Sequence, residues 1–409
     1  MRKARIAALA LAGCVAFSGM TGLLVGCGDG AGGSSANKMT IWAPQEEQVN
    51  LPKMIDAFKE EYPDYKDVKF EYKVMSVDNS ITQLQKDNKA AADVFLFPSG
   101  GITELTSAGL INPLNVNMTE LNAMYTENAV ESIMLDNKVY AIPVTLNTFI
   151  MYYNSDFYTE TEVQSLDTMM AKDLADGVKN FSIVVNDSWY LSTFFLTQEN
   201  AISAPTPSTI KCNYNNADGY KVGEYLIDLV NNDKFFPADG SGSDGNALKN
   251  KTLAALCSGT WSAKDIKGQL GDKYRAVPMP KVNIGGKECD MANFGDYKAY
   301  GVNSATKNPK LANLVAEWLG NATCQTMRYN TSGDAPTIKA LLALESVQND
   351  QAVMAALEQE KVCTVQPKTS KLTGYWDAVK AFGTELLNGD ITKTNLQTKL
   401  NQMVTAIEG

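Results

Sequence analysis

The stretch Asp93-Val94-Phe95-Leu96-Phe97, closed by Pro98-Ser99-Gly100-Gly101, most narrows what this chain can become. Apolar residues follow one another from Val94 to Phe97 with no polar alternation, so a strand here is buried on both faces. Strands of that kind belong to parallel sheets flanked by helices, which makes the fold class α/β. The preceding residues supply the rest of the unit. Met39-Thr40-Ile41-Trp42 reads as a short strand. Leu51, Met54, Ile55, Phe58 and Tyr62 share one face of a helix over 51–62, with Pro52 tolerated in its first turn. Val68, Phe70, Tyr72 and Val74 alternate with polar residues as a half-buried strand does. Helices are expected over 80–90 and up to Ala108, where Gly109 stops the second.

A second series of the same kind follows. Residues 138–147 are too long, and too interrupted by Pro143, for one ordinary strand, and read as chain crossing out of a first lobe. Beyond them we expect strands over 149–154 and 181–185 and a helix near 165–174. Asn186-Asp187-Ser188 offers N-caps to a helix carrying Trp189, Tyr190, Phe194 and Phe195. Another helix runs through Tyr220, Leu226 and Val230, and strands are expected over 252–257 and 274–278. Residues 294–303 form a second crossing, leading to a helix capped by Asn308-Pro309 with Leu311, Leu314, Val315 and Trp318 inward. Helices near 337–344, 350–360, 374–387 and 392–407 finish the chain. The expected organisation is two α/β lobes, 38–146 with 299–340 and 147–298 with 341–409. More than one crossing strand between them makes a hinge, and the cleft it leaves can close on a ligand.

The first 26 residues read as an export signal: Arg2, Lys3 and Arg5, an apolar run, then small residues. The run is diluted by Gly13, Gly19 and Gly22, against a membrane-spanning helix. Leu24-Val25-Gly26-Cys27 at its end resembles the bacterial lipobox, which implies cleavage before Cys27 and lipidation of its thiol. Residues 27–37 are then a Gly/Ser-rich tether. Loss of three basic and no acidic residues takes the net charge from −10 to −13, which argues against nucleic-acid partners and against adhesion to an anionic bilayer. There is no histidine, so Ser-His-Asp and Cys-His machinery and His-based metal sites are excluded. Cys212, Cys257, Cys289, Cys324 and Cys363 follow Cys27. They are odd in number and without a C-x-x-C pattern, and read mainly as small core residues of unreadable pairing.

Several motifs, in a consistent order from about Lys38 to the C-terminus, resemble one family. These are Met39-Thr40-Ile41-Trp42, Ala92-Asp93-Val94-Phe95, Ala108-Gly109-Leu110-Ile111, Val139-Tyr140-Ala141-Ile142-Pro143, Tyr153-Asn154, Ser258-Gly259-Thr260-Trp261, the crossing from Phe294-Gly295-Asp296-Tyr297-Lys298 to Asn303, and Tyr375-Trp376-Asp377-Ala378-Val379. They are similar to bacterial extracellular sugar-binding proteins, the maltose/maltodextrin-type solute-binding subunits of ABC importers. The resemblance implies a lipid-anchored monomer on the outer face of the cytoplasmic membrane of a Gram-positive cell. It further implies an oligosaccharide ligand of the α-glucan class, membrane permease subunits as partners, and no cofactor.

A pyranose presents a flat C–H face, which suits an aromatic ring, and a rim of hydroxyls, which suits carboxylates and amides. By resemblance Trp261, Trp376 and either Trp189 or Tyr190 are stacking platforms of the second lobe, with Tyr375 beside them. Phe97 is a platform of the first, and Glu46, Glu47, Thr145 and Asn147 take the polar positions. Each residue has a plainer reading. Trp376, Trp261 and Phe97 also suit a packed core, and Glu46-Glu47 also suits a solvated loop. Trp42 and Trp318 read as core. The chain departs from the family's best-known members at Glu47, at Ser99-Gly100-Gly101, at Asn147 and at Ala263. A receptor of the same fold for another solute is the main rival reading. An extracellular glycosidase needs only two carboxylates, but no spacing here picks out such a pair.

Overall fold

The computed structural model describes residues 38–199 and 201–409. The export signal, Cys27 and the tether lie outside them. Among the described residues no helix is long and apolar enough to cross a membrane.

The chain builds two mixed sheets. The first series is β1 (Lys38–Ala43), α1 (Leu51–Glu61), β2 (Lys69–Val74), α2 (Val77–Lys86), β3 (Val94–Pro98) and α3 (Ile102–Ser107). Helix α1 buries Leu51, Met54, Ile55 and Phe58, the stripe its periodicity predicts. Strand β3 is buried from Val94 to Phe97 and runs parallel to β1, which in turn pairs with β2. Val74 is exposed because β2 is the edge strand of its sheet. Next come β4 (Ala141–Asn147) and β5 (Phe149–Asn154), separated by Thr148 alone. Strand β4 belongs to the first sheet and β5 to the second, so the first crossing is a single residue.

The second series holds β6 (Phe181–Ser182), α4 (Ser188–Phe195), α5 (Ala217–Val230), β7 (Phe235–Phe236), β8 (Ala255–Gly259), α6 (Ala263–Leu270) and β9 (Tyr274–Val277). Its sheet order is β7-β6-β8-β5-β9. The expected strand over 181–185 leaves the sheet after Ser182, although Ile183 and Val185 stay fully buried. Burial, not ladder pairing, accounts for that apolar run. A hairpin, Lys281–Ile284 with Lys287–Asp290, was not apparent from sequence. Gly285 and Gly286 both take positive φ, which is what a two-residue turn between twisted strands needs.

Strand β10 (Phe294–Val302) is the return crossing. It lies between β3 and β4, antiparallel to both, pairing with β4 from Asp296 and with β3 from Lys298. Then follow α7 (Pro309–Gly320), α8 (Ala322–Thr331), α9 (Gln351–Glu360), β11 (Thr364–Val365), α10 (Leu372–Leu387) and α11 (Leu396–Glu408). Strand β11, between α9 and α10, pairs with the start of β10 at Phe294 and Gly295. The helix expected over 337–344 shrinks to Lys339–Leu342.

Two apolar clusters fill the molecule. One lies around the first sheet and continues through α9 onto Ile150, Tyr152 and Tyr274 of the second. The other packs α4, α5, α10 and α11 against Phe149, Met151 and Tyr153 on the opposite face of β5. Trp42 is buried, whereas Trp318 is half-buried, donating its Nε1–H to the Met54 carbonyl at 2.7 Å.

Candidate functional site

An aromatic box forms where α4, α10 and the start of β10 meet. Asp187 caps α4 by accepting from the Trp189 N–H at 2.8 Å, which fixes Trp189 and Tyr190 in the helix's first turn. Trp189 lies 6.0 Å from Trp376 and 6.3 Å from Phe294, and the Phe294 ring meets Trp376 edge-on at 5.4 Å. Phe294 is fully buried beneath, while Trp189, Tyr190 and Trp376 remain half-buried with surface to offer. Tyr190 leans on Phe149 at 4.7 Å. Trp261 stands apart from this box, directly after β8. Its ring lies over Gly259, where an added Cβ would fall 2.0 Å from the indole, so glycine is what lets the ring lie there.

Other residues proposed from sequence are placed differently. Tyr375 is fully buried, its hydroxyl bonded to Ser192 Oγ at 2.6 Å and to Tyr214 at 2.8 Å. It ties α10 to α4 and backs Trp376 edge-on at 4.8 Å, presenting no surface of its own. Phe97 is also fully buried, 5.2 Å from Phe95. Thr145 donates its hydroxyl to the Ala335 carbonyl at 2.8 Å. Glu47 is buried and accepts from Arg328 Nε at 2.6 Å, while its neighbour Glu46 is exposed. Burial holds the Glu47 carboxyl above its ordinary pKa in spite of Arg328.

Asn147 leads to a centre that sequence reasoning missed. Its Nδ2 donates to Asp296 Oδ1 at 2.6 Å. The other Asp296 oxygen accepts from Gln366 Nε2 at 3.0 Å and from the Gly100 N–H at 3.5 Å. One buried carboxyl thus gathers both crossings, β4 and β10, together with the end of β3 and the residue that follows β11. Burial pushes its pKa up to about 7, more than these donors lower it. A Cβ at Gly100 would fall 1.9 Å from Gln366 Oε1, so a larger residue there would displace the Gln366 amide from its place against Asp296.

Charged groups of both sheets share this region. Asp78, in the first turn of α2, reaches solvent, yet the protein around it strips hydration and raises its carboxyl pKa. Lys298 and Lys380 oppose that shift and Glu46 adds to it. Asp187 is raised by burial too, with Asp78 adding to the shift. Lys298 is buried and holds its Nζ 4.5 Å from the Trp261 ring centre. Thr373 on α10 donates to Glu104 on α3 at 2.9 Å, joining the two sides directly. In sequence the signal for these groups was an aspartate and a lysine two apart in an otherwise apolar strand. Among the described residues no group of three or more Cys, Asp or Glu side chains could hold a metal ion. The arrangement offers half-buried indole faces, carboxylates, amides and an ammonium, which suit a neutral, hydroxyl-rich ligand.

Residues 53–355 match the model of the family described as bacterial extracellular solute-binding protein. The chain is 26% identical over 360 residues to the galactooligosaccharide-binding protein of Bacillus subtilis, covering 84% of this chain and 83% of that one. It is 22% identical to the maltooligosaccharide ABC transporter solute-binding lipoprotein of Streptococcus pneumoniae, covering 94% and 93%. A solved structure with acarbose superposes with a TM-score of 0.83 at 30% identity, covering 91% of this chain and 98% of the other. With its two lobes joined through β4–β5 and β10, this chain belongs to the bacterial extracellular solute-binding proteins.

Proposed function

We propose that this protein is the receptor of a carbohydrate ABC importer, binding malto-oligosaccharides or a related α-glucan and delivering them to the permease without making or breaking a bond. The observation that carries this reading is the set of half-buried indoles, Trp189, Trp376 and Trp261, near carboxylates of both sheets. Relatives named for malto- and galactooligosaccharides support the ligand class, as does the similar structure with acarbose. In this reading residues 38–146 with 299–340 and 147–298 with 341–409 close as two bodies about the Asp296 centre. Closure draws its free energy from ligand contacts made only in the closed form. Cys27 carries the lipid that keeps the receptor beside its permease, and the tether leaves the lobes free to move.

Titration with maltotriose through maltoheptaose, followed by tryptophan emission and heat, is expected to show saturable binding. Trp376→Ala and Trp261→Ala each lose a shelf worth roughly 1.5–3 kcal/mol, about ten- to a hundredfold in Kd. Binding of β-galacto-oligosaccharides alone would move the assignment to the galactan class, the reading favoured by the Bacillus subtilis relative. Silence with both series would overturn the carbohydrate reading.

A further inference from the structure

Lys298 is an unusual presence in β10. It is 7% exposed, on a strand otherwise buried along most of its length. An ammonium in that setting ordinarily finds a carboxylate within ion-pair distance. Lys298 has none: among the described residues no carboxylate lies within 4.0 Å of its Nζ and no hydrogen bond is made from it, and its one close partner is the face of Trp261. The carboxylates that feel its charge, Asp78 and Glu47, act over longer range. Two features of the backbone put the side chain there. The pairing of β10 with β4 shifts register between Lys298 and Ala299, a bulge of the kind that re-aims a side chain. On the other side Gly259 lets the Trp261 ring lie flat on its own strand end.

A lysine offers three donors and no acceptor. With one side resting on an indole, the remaining donors need oxygen acceptors that the protein does not supply. We propose that Lys298 is a ligand-binding residue of the cleft, donating hydrogen bonds from its ammonium to oxygens of the sugar unit that stacks at Trp261. This rests on the carbohydrate reading given above. The residue combines with Trp261 as one subsite: the indole takes the C–H face of the ring, and the ammonium takes its ring, glycosidic or hydroxyl oxygens. Its buried, unpaired charge costs the ligand-free protein stability, and the arriving oxygens offset that cost.

Lys298→Met keeps the aliphatic stem against Trp261 and removes the charge. Wild type, Lys298→Met and Lys298→Arg are titrated with maltotriose, maltotetraose and β-1,4-galactotriose, and each is unfolded in urea without sugar. For any sugar that wild type binds, Lys298→Met is expected to bind at least tenfold more weakly and Lys298→Arg within a few fold of wild type. The urea midpoint of Lys298→Met is expected at or above that of wild type. Undiminished binding by Lys298→Met overturns the proposal, and so does a lowered midpoint, which would make the lysine a structural support. If wild type binds no sugar of the panel, the carbohydrate reading fails on its own. The midpoint then decides separately: a lowered one overturns the unpaired charge at Lys298, and one at or above that of wild type retains it for another oxygen-rich ligand.

Discussion

Asp296→Asn should abolish a pH dependence built into the junction of the lobes. The wild-type carboxyl is 4% exposed and accepts from Asn147, Gln366 and Gly100. Burial outweighs those donors and holds its pKa at about 7, against 3.8 for an ordinary aspartate. Between these values the folded protein keeps a proton that the unfolded chain has released. Its contribution to stability is therefore complete below about pH 4 and is lost as pH rises to about 7. The difference amounts to about 4 kcal/mol at most, from 1.36 kcal/mol per pKa unit. An asparagine cannot ionise, and the Asn147 and Gln366 amides can turn to present oxygen to its new N–H group. Urea unfolding of both proteins near pH 5 and pH 8 reads the effect. The variant should be the more stable near pH 8 by about 2–4 kcal/mol, and its advantage near pH 5 should be smaller by about 2–3 kcal/mol, with unchanged m. Parallel pH profiles, or a variant weaker at both values, would refute the reasoning.

Arg328→Met strands Glu47, whose second oxygen already has no partner among the described residues, and should cost about 3–5 kcal/mol in urea unfolding. Adding Glu47→Gln should restore most of that loss, because the pair rather than either charge is what the core accommodates. Tyr375→Phe leaves Ser192 and Tyr214 without their shared partner and should lower stability by about 1–2 kcal/mol, with sugar affinity in calorimetry unchanged. That outcome would separate Tyr375 from its neighbour Trp376. Gly259→Ala drives a Cβ into the Trp261 ring and should weaken sugar binding at least as much as Trp261→Ala, with the change visible in tryptophan emission.

Local pattern carried most of the architecture. The apolar run of β3, the stripe of α1 and the caps at Asp187 and Asn308 are decided within a few residues, because strand and helix periods and capping hydrogen bonds are short-range. The two crossings were legible as well: the first as a long extended run interrupted by Pro143, the second as the extended run over 294–303. The residues that fill the site were less legible. Trp376 and Tyr375 are adjacent and equally aromatic, yet one keeps open surface while the other is sealed by Ser192 and Tyr214, from elements far away in the chain.

The family's order of motifs and the α/β class are thus properties of the sequence alone. Which polar groups are buried belongs to the tertiary structure. Glu46 and Glu47 look alike as neighbours, but only Glu47 meets Arg328, a residue of α8 that the fold carries back to it. Asp296 becomes a hub, and Lys298 an unpaired cation, only when β10 is laid between β3 and β4. The physical reason is range. Propensity acts over a turn or a pleat, whereas desolvation and Coulomb energy depend on every atom within several ångströms, whatever its place in the chain.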